Sequence, residues 1–287
     1  MNHQKDTNAA MPDPILYDSH MHTPLCNHAD GEPEEYARQA LRRNLKGIIF
    51  TCHNPMPDGF SADVRMKHEQ FGEYVGLVRR AADAYRGKLD IRLGLECDYM
   101  PGFEPWLKEQ IDSADLHFVL ASVHPFIEEY GARFWKGDAV AFQRTYFENL
   151  ARAAESGLFD CLSHPDLVKN MYSHEWDVPR ILDDIRAALD RIAAAGIAME
   201  LNTSGWNKKL PEANPGPEIL REMAIRNIPV VLGSDSHVPD RVADRFEGAM
   251  DLLEQAGYRE VSFFLNRKRL DIAICEARAS LKVSAVV

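Results

Sequence analysis

The sequence has few of the features that would mark an extracellular or membrane protein. Cysteine is scarce: five in 287 residues, an odd number with no C-x-x-C pair. That argues against a disulfide framework and fits reduced thiols in a cytoplasm. No apolar run reaches the roughly 18 residues that a membrane span requires. Basic clusters are missing too. The net charge is −11, from 33 Lys plus Arg against 44 Asp plus Glu. Such a chain is a poor general binder of a nucleic-acid backbone or an anionic membrane. It can still take an anionic small molecule, because bound cations dominate a local pocket. Residues 1–12 are polar, without the basic and apolar regions of a signal peptide, and read as a loose leader. No Gly/Pro/Ser-rich linker or repeat divides residues 13–287, which read as one domain.

What is present is an alternation. Short apolar runs at 15–18, 47–51, 90–96, 118–123, 159–163, 198–201 and 229–234 read as strands. Amphipathic stretches at 33–45, 65–86, 103–112, 138–156, 178–195, 217–227 and 239–256 read as helices. Strands alternating with helices predict parallel βα units, and seven of them suggest a barrel. The last 30 residues read as an extra strand at 261–265 and a short helix.

Polar side chains of metal-binding type follow these strands one after another. They are His20 and His22, His53, Glu96, His124, His164, Asn202, and Asp235 with His237. In a βα barrel the loops after the strands converge on one face, and chemistry is carried there. Residues i and i+2 of an extended chain share a side. His20 with His22, and Asp235 with His237, can therefore each act together. His28 lies in the loop after the first strand. Each signal alone is weak: an H-x-H can be a capping pair, and a lone strand-end histidine is commonly structural. Together they place seven of eleven histidines at strand ends, which predicts a multi-metal site. His3, His68, His117 and His174 have no such placement and read as tail, surface or packing residues. Imidazoles with a few carboxylates suit Zn, Fe or Mn better than Ca or Mg.

These residues resemble the PHP superfamily (polymerase and histidinol phosphatase), and within it the stand-alone histidinol-phosphatases. The resemblance runs from about residue 17 to residue 246. It is carried by DSHMHTPLCNHADG (18–31), FTCHNPMP (50–57), GLECDY (94–99), SVH (122–124) and LGSDSHVP (232–239). The branch is marked by YFENLARAAESGLFDCLSHPDL (146–167) and ELNTSG (200–205). The resemblance implies a distorted (β/α)7 barrel with two to three divalent transition metals. One ion would take His20, His22, Glu96 and Asp235. A second would share Glu96 and add His124 and His164. A third would take His28, His53 and His237. Two departures stand out. Cys52 occupies a position that is often acidic in the family. The stretch Trp206-Asn207-Lys208-Lys209, with Asn214-Pro215-Gly216, replaces an Arg and a Tyr-Pro-Ser turn.

The implied reaction is hydrolysis of a small phosphorylated metabolite, L-histidinol phosphate, by attack of a metal-bound hydroxide. Three divalent ions against two carboxylates and one hydroxide leave about +3 in the pocket, which favours a phosphate dianion. Glu96, Asp235 and His237 are the expected catalytic groups, with Asp235 or a nearby histidine protonating the leaving alkoxide. Arg65, Asn202, Lys208 and Arg241 are the candidate substrate contacts. Two rival readings are a phosphoesterase for nucleotides or other small phosphates, and a metal-binding module without catalysis. Nothing in the pattern specifies an oligomeric state.

Overall fold

The computed structural model describes residues 13–281; the leader expected at 1–12 lies outside them. Seven parallel strands follow one another around a barrel: β1 (Tyr17–Asp18), β2 (Gly47–Phe50), β3 (Asp90–Asp98), β4 (Phe118–Ser122), β5 (Cys161–Leu162), β6 (Ala198–Asn202) and β7 (Val230–Gly233). Each is hydrogen-bonded to the next in parallel. β7 returns to β1 through Ser19 N to Leu232 O (3.4 Å), His22 N to Ser236 O (2.9 Å) and Ser236 N to His20 O (3.2 Å). The barrel is distorted. β1 and β5 have two residues each, and β3 has nine. β3 pairs with β2 through residues 90–93 and with β4 only from Gly94 onward.

The helices lie between strands as the amphipathic pattern requires: α1 (Pro33–Arg42), α2 (Phe71–Ala84), α3 (Glu104–Asp112), α4 (Glu128–Phe134), α5 (Ala139–Glu155), α6 (Val178–Ala195), α7 (Pro217–Ile225) and α8 (Phe246–Ala256). Local chemistry sets their ends. Glu32 and Glu35 close a capping box at the start of α1, with Pro33 in its first turn. The Asp138 carboxylate accepts from Val140 N and Ala141 N to start α5. Gly196, at φ 72°, ends α6. No helix among the described residues is long and apolar enough to cross a membrane.

Two helices begin well after the sequence expectation, and one helix, α4, has no counterpart in it. The helix expected from 65 begins at Phe71, because Arg65 is drawn inward and buried. The helix expected from 239 begins at Phe246. The preceding segment is instead held by the Asp18 carboxylate, which accepts from Ala243 N at 2.8 Å.

The chain's end also differs. β8 (Glu260–Leu265) is followed not directly by a helix but by an antiparallel partner, β9 (Lys268–Ala273), and then α9 (Ile274–Ser280). This hairpin fills the end of the barrel where the strands begin. Phe263 stacks on Tyr17 at 4.6 Å and Phe264 on Phe118 at 5.2 Å. The turn residues Asn266 and Arg267 both have positive φ. They reach the far wall, where Asn266 N donates to His117 Nδ1 (3.2 Å) and Arg267 binds Asp160 and the Leu158 carbonyl.

Two layers fill the interior. The lower one is an apolar cluster of Tyr17, Ile49, Phe118, Leu120, Cys161, Ala198, Val231 and Phe264. One pleat further along, the inward positions turn polar: Glu96, Ser122, Ser163 and Glu200, with Gly233 facing Glu200. The period of two carries each strand from plug to site.

Candidate metal centre

Glu96, fully buried on β3, lies at the centre of the polar layer. Its two carboxylate oxygens face two groups of imidazoles. Oε2 is 3.3 Å from His20 Nε2, 3.5 Å from His22 Nε2 and 2.9 Å from His53 Nδ1. Oε1 is 3.1 Å from His164 Nε2 and 3.6 Å from His124 Nε2. Asp235 Oδ1 faces the first group, 3.2 Å from His22 Nε2 and 3.6 Å from His20 Nε2. Nitrogens and oxygens bound at about 2.1 Å around one tetrahedral ion are spaced about 3.4 Å apart. The four spacings among His20, His22, Glu96 and Asp235 all lie near that value. Glu96 Oε2, His20 Nε2, His53 Nδ1 and His237 Nε2 are buried and have no hydrogen-bond partner. Buried polar atoms are seldom left so, and an ion would satisfy them. The donor set therefore fits divalent transition metals.

The third group is less tightly drawn. The rings of His28, His53 and His237 stand side by side, with His28 5.4 Å from His53 and 4.6 Å from His237. His22 stacks on His237 at 3.9 Å. Possible ligand atoms of His22, His53 and His237 lie within 4.8 Å of one another, as do those of Cys26, His28 and His237. All nine residues singled out in the sequence as ligands thus meet in one cleft.

Outer partners fix the rings. Nδ1 of His20 meets Glu200 Oε1 at 2.7 Å, and Nδ1 of His28 meets the Cys26 carbonyl at 2.7 Å. Nδ1 of His237 meets the Asp235 carbonyl at 3.1 Å, and Nδ1 of His124 meets Asp98. Each pairing leaves Nε2 free to point at the centre, as ligating histidines require. Sequence reasoning missed Glu200 and Asp98. Both were detectable: Asp98 is two residues past Glu96, and Glu200 is two before Asn202, so each shares the inward face of its strand. Glu200 also accepts from His164 N at 2.8 Å. It fits only because position 233 is glycine; a Cβ there would come 1.9 Å from its Oε1 and 2.8 Å from His20 Cβ. His164 and Asp235 have positive φ, backbone strain of the kind concentrated at working sites.

The charges are interlocked. Burial would raise the Glu96 carboxyl, but the His53 and His20 imidazoles and a hydrogen bond with His164 hold it well below the usual carboxylate range. Burial works likewise on Asp235, and His20 and His22 hold it low. Burial opposes a proton on His22, yet the Asp235 hydrogen bond, with Cys52 and Glu96 alongside, pushes it up to about 9. Burial lowers His53 to about 4 and His237 to about 2, with the neighbouring His22 charge acting in the same direction.

The cleft holds a cavity of about 210 Å³. Of the expected substrate contacts, Lys208 lines it with Nζ 3.9 Å from Asp235 Oδ2. Arg65 lines it too, but its guanidinium is spent on the Ser61 and Asn54 carbonyls and on Asp98. Asn202 and Arg241 are not among the lining residues. Asn202 is buried, its Oδ1 accepting from Ser204 N and Oγ and its Nδ2 donating to Glu200. Arg241 is exposed in a short turn. Phe126, Ile127 and Leu167 give the cavity an apolar wall that was not read from the sequence.

The sequence matches the family model described as PHP domain over residues 18–204. The chain belongs to the PHP domain family. Among relatives, a Deinococcus radiodurans protein named probable histidinol-phosphatase is 41% identical over 258 residues, covering 86% of this chain and 96% of that protein. The Bacillus subtilis histidinol-phosphatase is 27% identical, with 82% and 98% covered. Among solved structures, a Lactococcus lactis histidinol phosphate phosphatase complexed with zinc, L-histidinol and phosphate superposes with a TM-score of 0.75 at 20% identity, covering 89% of this chain and 98% of that one. That likeness establishes the barrel of this PHP domain.

Proposed function

We propose that the chain is a metal-dependent phosphoric monoester hydrolase that converts L-histidinol phosphate to L-histidinol and phosphate, a step of histidine biosynthesis. The observation that carries the reading is the arrangement around Glu96, where unpartnered imidazole nitrogens and carboxylate oxygens converge at ligand-to-ligand spacings. The relatives named as histidinol-phosphatases supply the substrate. His20, His22, Glu96 and Asp235 would hold one ion, Glu96, His124 and His164 a second, and His28, His53 and His237 a third. Zinc suits this set, as do iron and manganese. When bound, such ions supply a water activated at neutral pH and neutralise the phosphoryl charge.

The chain's own residues do the rest. Lys208, at the cavity edge, offers an ammonium to a phosphoryl oxygen. Arg65 braces Asp98, which orients His124. Asp235 and His237 lie where a proton can be passed to the leaving alkoxide. Phe126, Ile127 and Leu167 shield one side of the cavity from water and offer a surface to the leaving group. The five cysteines are all free, which suits a reducing cytoplasm.

The test is kcat/KM for L-histidinol phosphate beside sugar phosphates, nucleotides and phosphoserine on metal-loaded protein. We expect histidinol phosphate to lead. Preference for another ester by more than about tenfold, or roughly 1.4 kcal/mol of barrier, would replace the substrate and keep the hydrolase. No turnover of any ester, an aryl phosphate included, would leave a metal-binding module.

A further inference from the structure

Two thiols adjoin the centre outside its proposed ligand set. Cys26 ends the turn Pro24–Cys26 after β1, and Cys52 follows β2. Both are fully buried, and their sulfurs lie within 4.8 Å of each other and of a His22 nitrogen. Thr23 Oγ1 donates to Cys52 Sγ at 3.3 Å. The placement along the chain is specific. Cys26 stands two residues before His28, and Cys52 immediately before His53, so both flank ligands proposed for the same ion. Cys26 Sγ is also within 4.8 Å of ligand atoms of His28 and His237, which line the cavity. Cys26 therefore lies behind imidazoles that line the cavity.

We propose that Cys26 and Cys52 form a peroxide-responsive dithiol whose oxidation to a disulfide releases the ion held by His28, His53 and His237. One sulfur of the pair attacks hydrogen peroxide. An S–O bond forms, the O–O bond breaks, and that cysteine's proton leaves with the departing oxygen as water. The product is a sulfenic acid. The other sulfur then displaces its hydroxyl, forming the S–S bond and sending hydroxide off with the second cysteine's proton as a second water. Two thiols lose two electrons and one peroxide becomes two waters.

The consequence for the metal follows from what must move. A disulfide needs its sulfurs about 2.05 Å apart. Cys52 is anchored at a strand end, its N–H donating to the Tyr74 hydroxyl at 3.2 Å. The movement falls on the 24–28 turn, where Pro24 and Asn27 are exposed and Asn27 has φ 68°. His28 moves with it, because its Nδ1 is tied to the Cys26 carbonyl.

The experiment treats zinc-loaded, full-length protein with hydrogen peroxide. Non-reducing peptide mapping follows the linkage, and a chromogenic indicator follows free zinc. We expect a Cys26–Cys52 linked peptide, reversed by dithiothreitol, appearing together with released zinc. Cys26→Ser and Cys52→Ser should each abolish the linkage and slow the release to the rate without peroxide. The wild-type map needs no variant. Oxidation of exposed Cys275 with no linked peptide overturns the dithiol. A linked peptide with all zinc retained overturns the coupling to the metal. Only the coupling rests on the proposed ligand roles of His28 and His53, so its failure is distinguishable from failure of the hydrolase reading, which the substrate assay measures.

Discussion

Glu96 is asked to do two things at once: to face two groups of imidazoles with its two oxygens and to remain ionised in a fully buried position. Burial alone would keep it protonated; its histidine neighbours reverse that. Glu96→Ala should therefore lose both metal and phosphatase activity, while His68→Ala and His174→Ala, at exposed positions outside the cleft, should lose neither. Elemental analysis and turnover check this. Retention of more than about a tenth of wild-type activity in Glu96→Ala, a loss under roughly 1.4 kcal/mol, would rule out the shared ligand. Glu200 acts at one remove, through His20 Nδ1 and His164 N. Glu200→Gln keeps the shape and removes the charge. Loss of such an outer partner weakens metal binding by roughly 10- to 100-fold, which chelator competition would measure. Unchanged affinity would reduce Glu200 to a packing residue.

Among the elements, the strands carry the site and the terminal hairpin closes the barrel beneath it. The period of two explains why each strand begins apolar and ends polar on the same face, as in β6, where Ala198 lies in the apolar layer and Glu200 in the polar one. The hairpin was only half legible. Its turn is Asn-Arg, without the glycine that usually signals a tight two-residue turn. Arg267 holds its positive φ while its guanidinium bridges to Asp160 and the Leu158 carbonyl, 100 residues and more away in sequence. Asp160 is nearly buried and also accepts from Val119 N at 2.8 Å. Arg267→Ala would leave that carboxylate without its cation and cost about 2 kcal/mol. Denaturant unfolding should show the loss, with the metal centre's chemistry intact at low temperature. A change under about 0.5 kcal/mol, the range of ordinary surface substitutions, would mean the hairpin does not depend on this anchor.

At the scale of the whole molecule, ligands from six of the seven barrel strands and their loops meet in one place, with Glu200 of the remaining strand, β6, as an outer partner, so metal binding and stability are linked. Chelation should lower Tm by at least about 5 °C, equivalent to roughly 2 kcal/mol for a chain of this size; an unchanged Tm would disconnect the ions from the fold. The linkage has a sign in pH. Metal-free His22 keeps its proton up to about pH 9, and a ligand must shed that proton to bind. Affinity should therefore rise with pH towards 9, and loading near neutral pH should release protons. Calorimetry in buffers of different ionisation enthalpy reads this directly, and loading without proton release would contradict it. The sequence by itself determined the alternation of strands and helices and the identity of the clustered histidines and carboxylates, because both are written in local spacing. It did not determine that Arg65 would be consumed by carbonyls and Asp98, that Asn202 would cap its own turn, or that Gly233 makes room for Glu200. Those were decided by which side chains of distant strands came within reach once the barrel closed. Closure is set by packing among strands that no local pattern records.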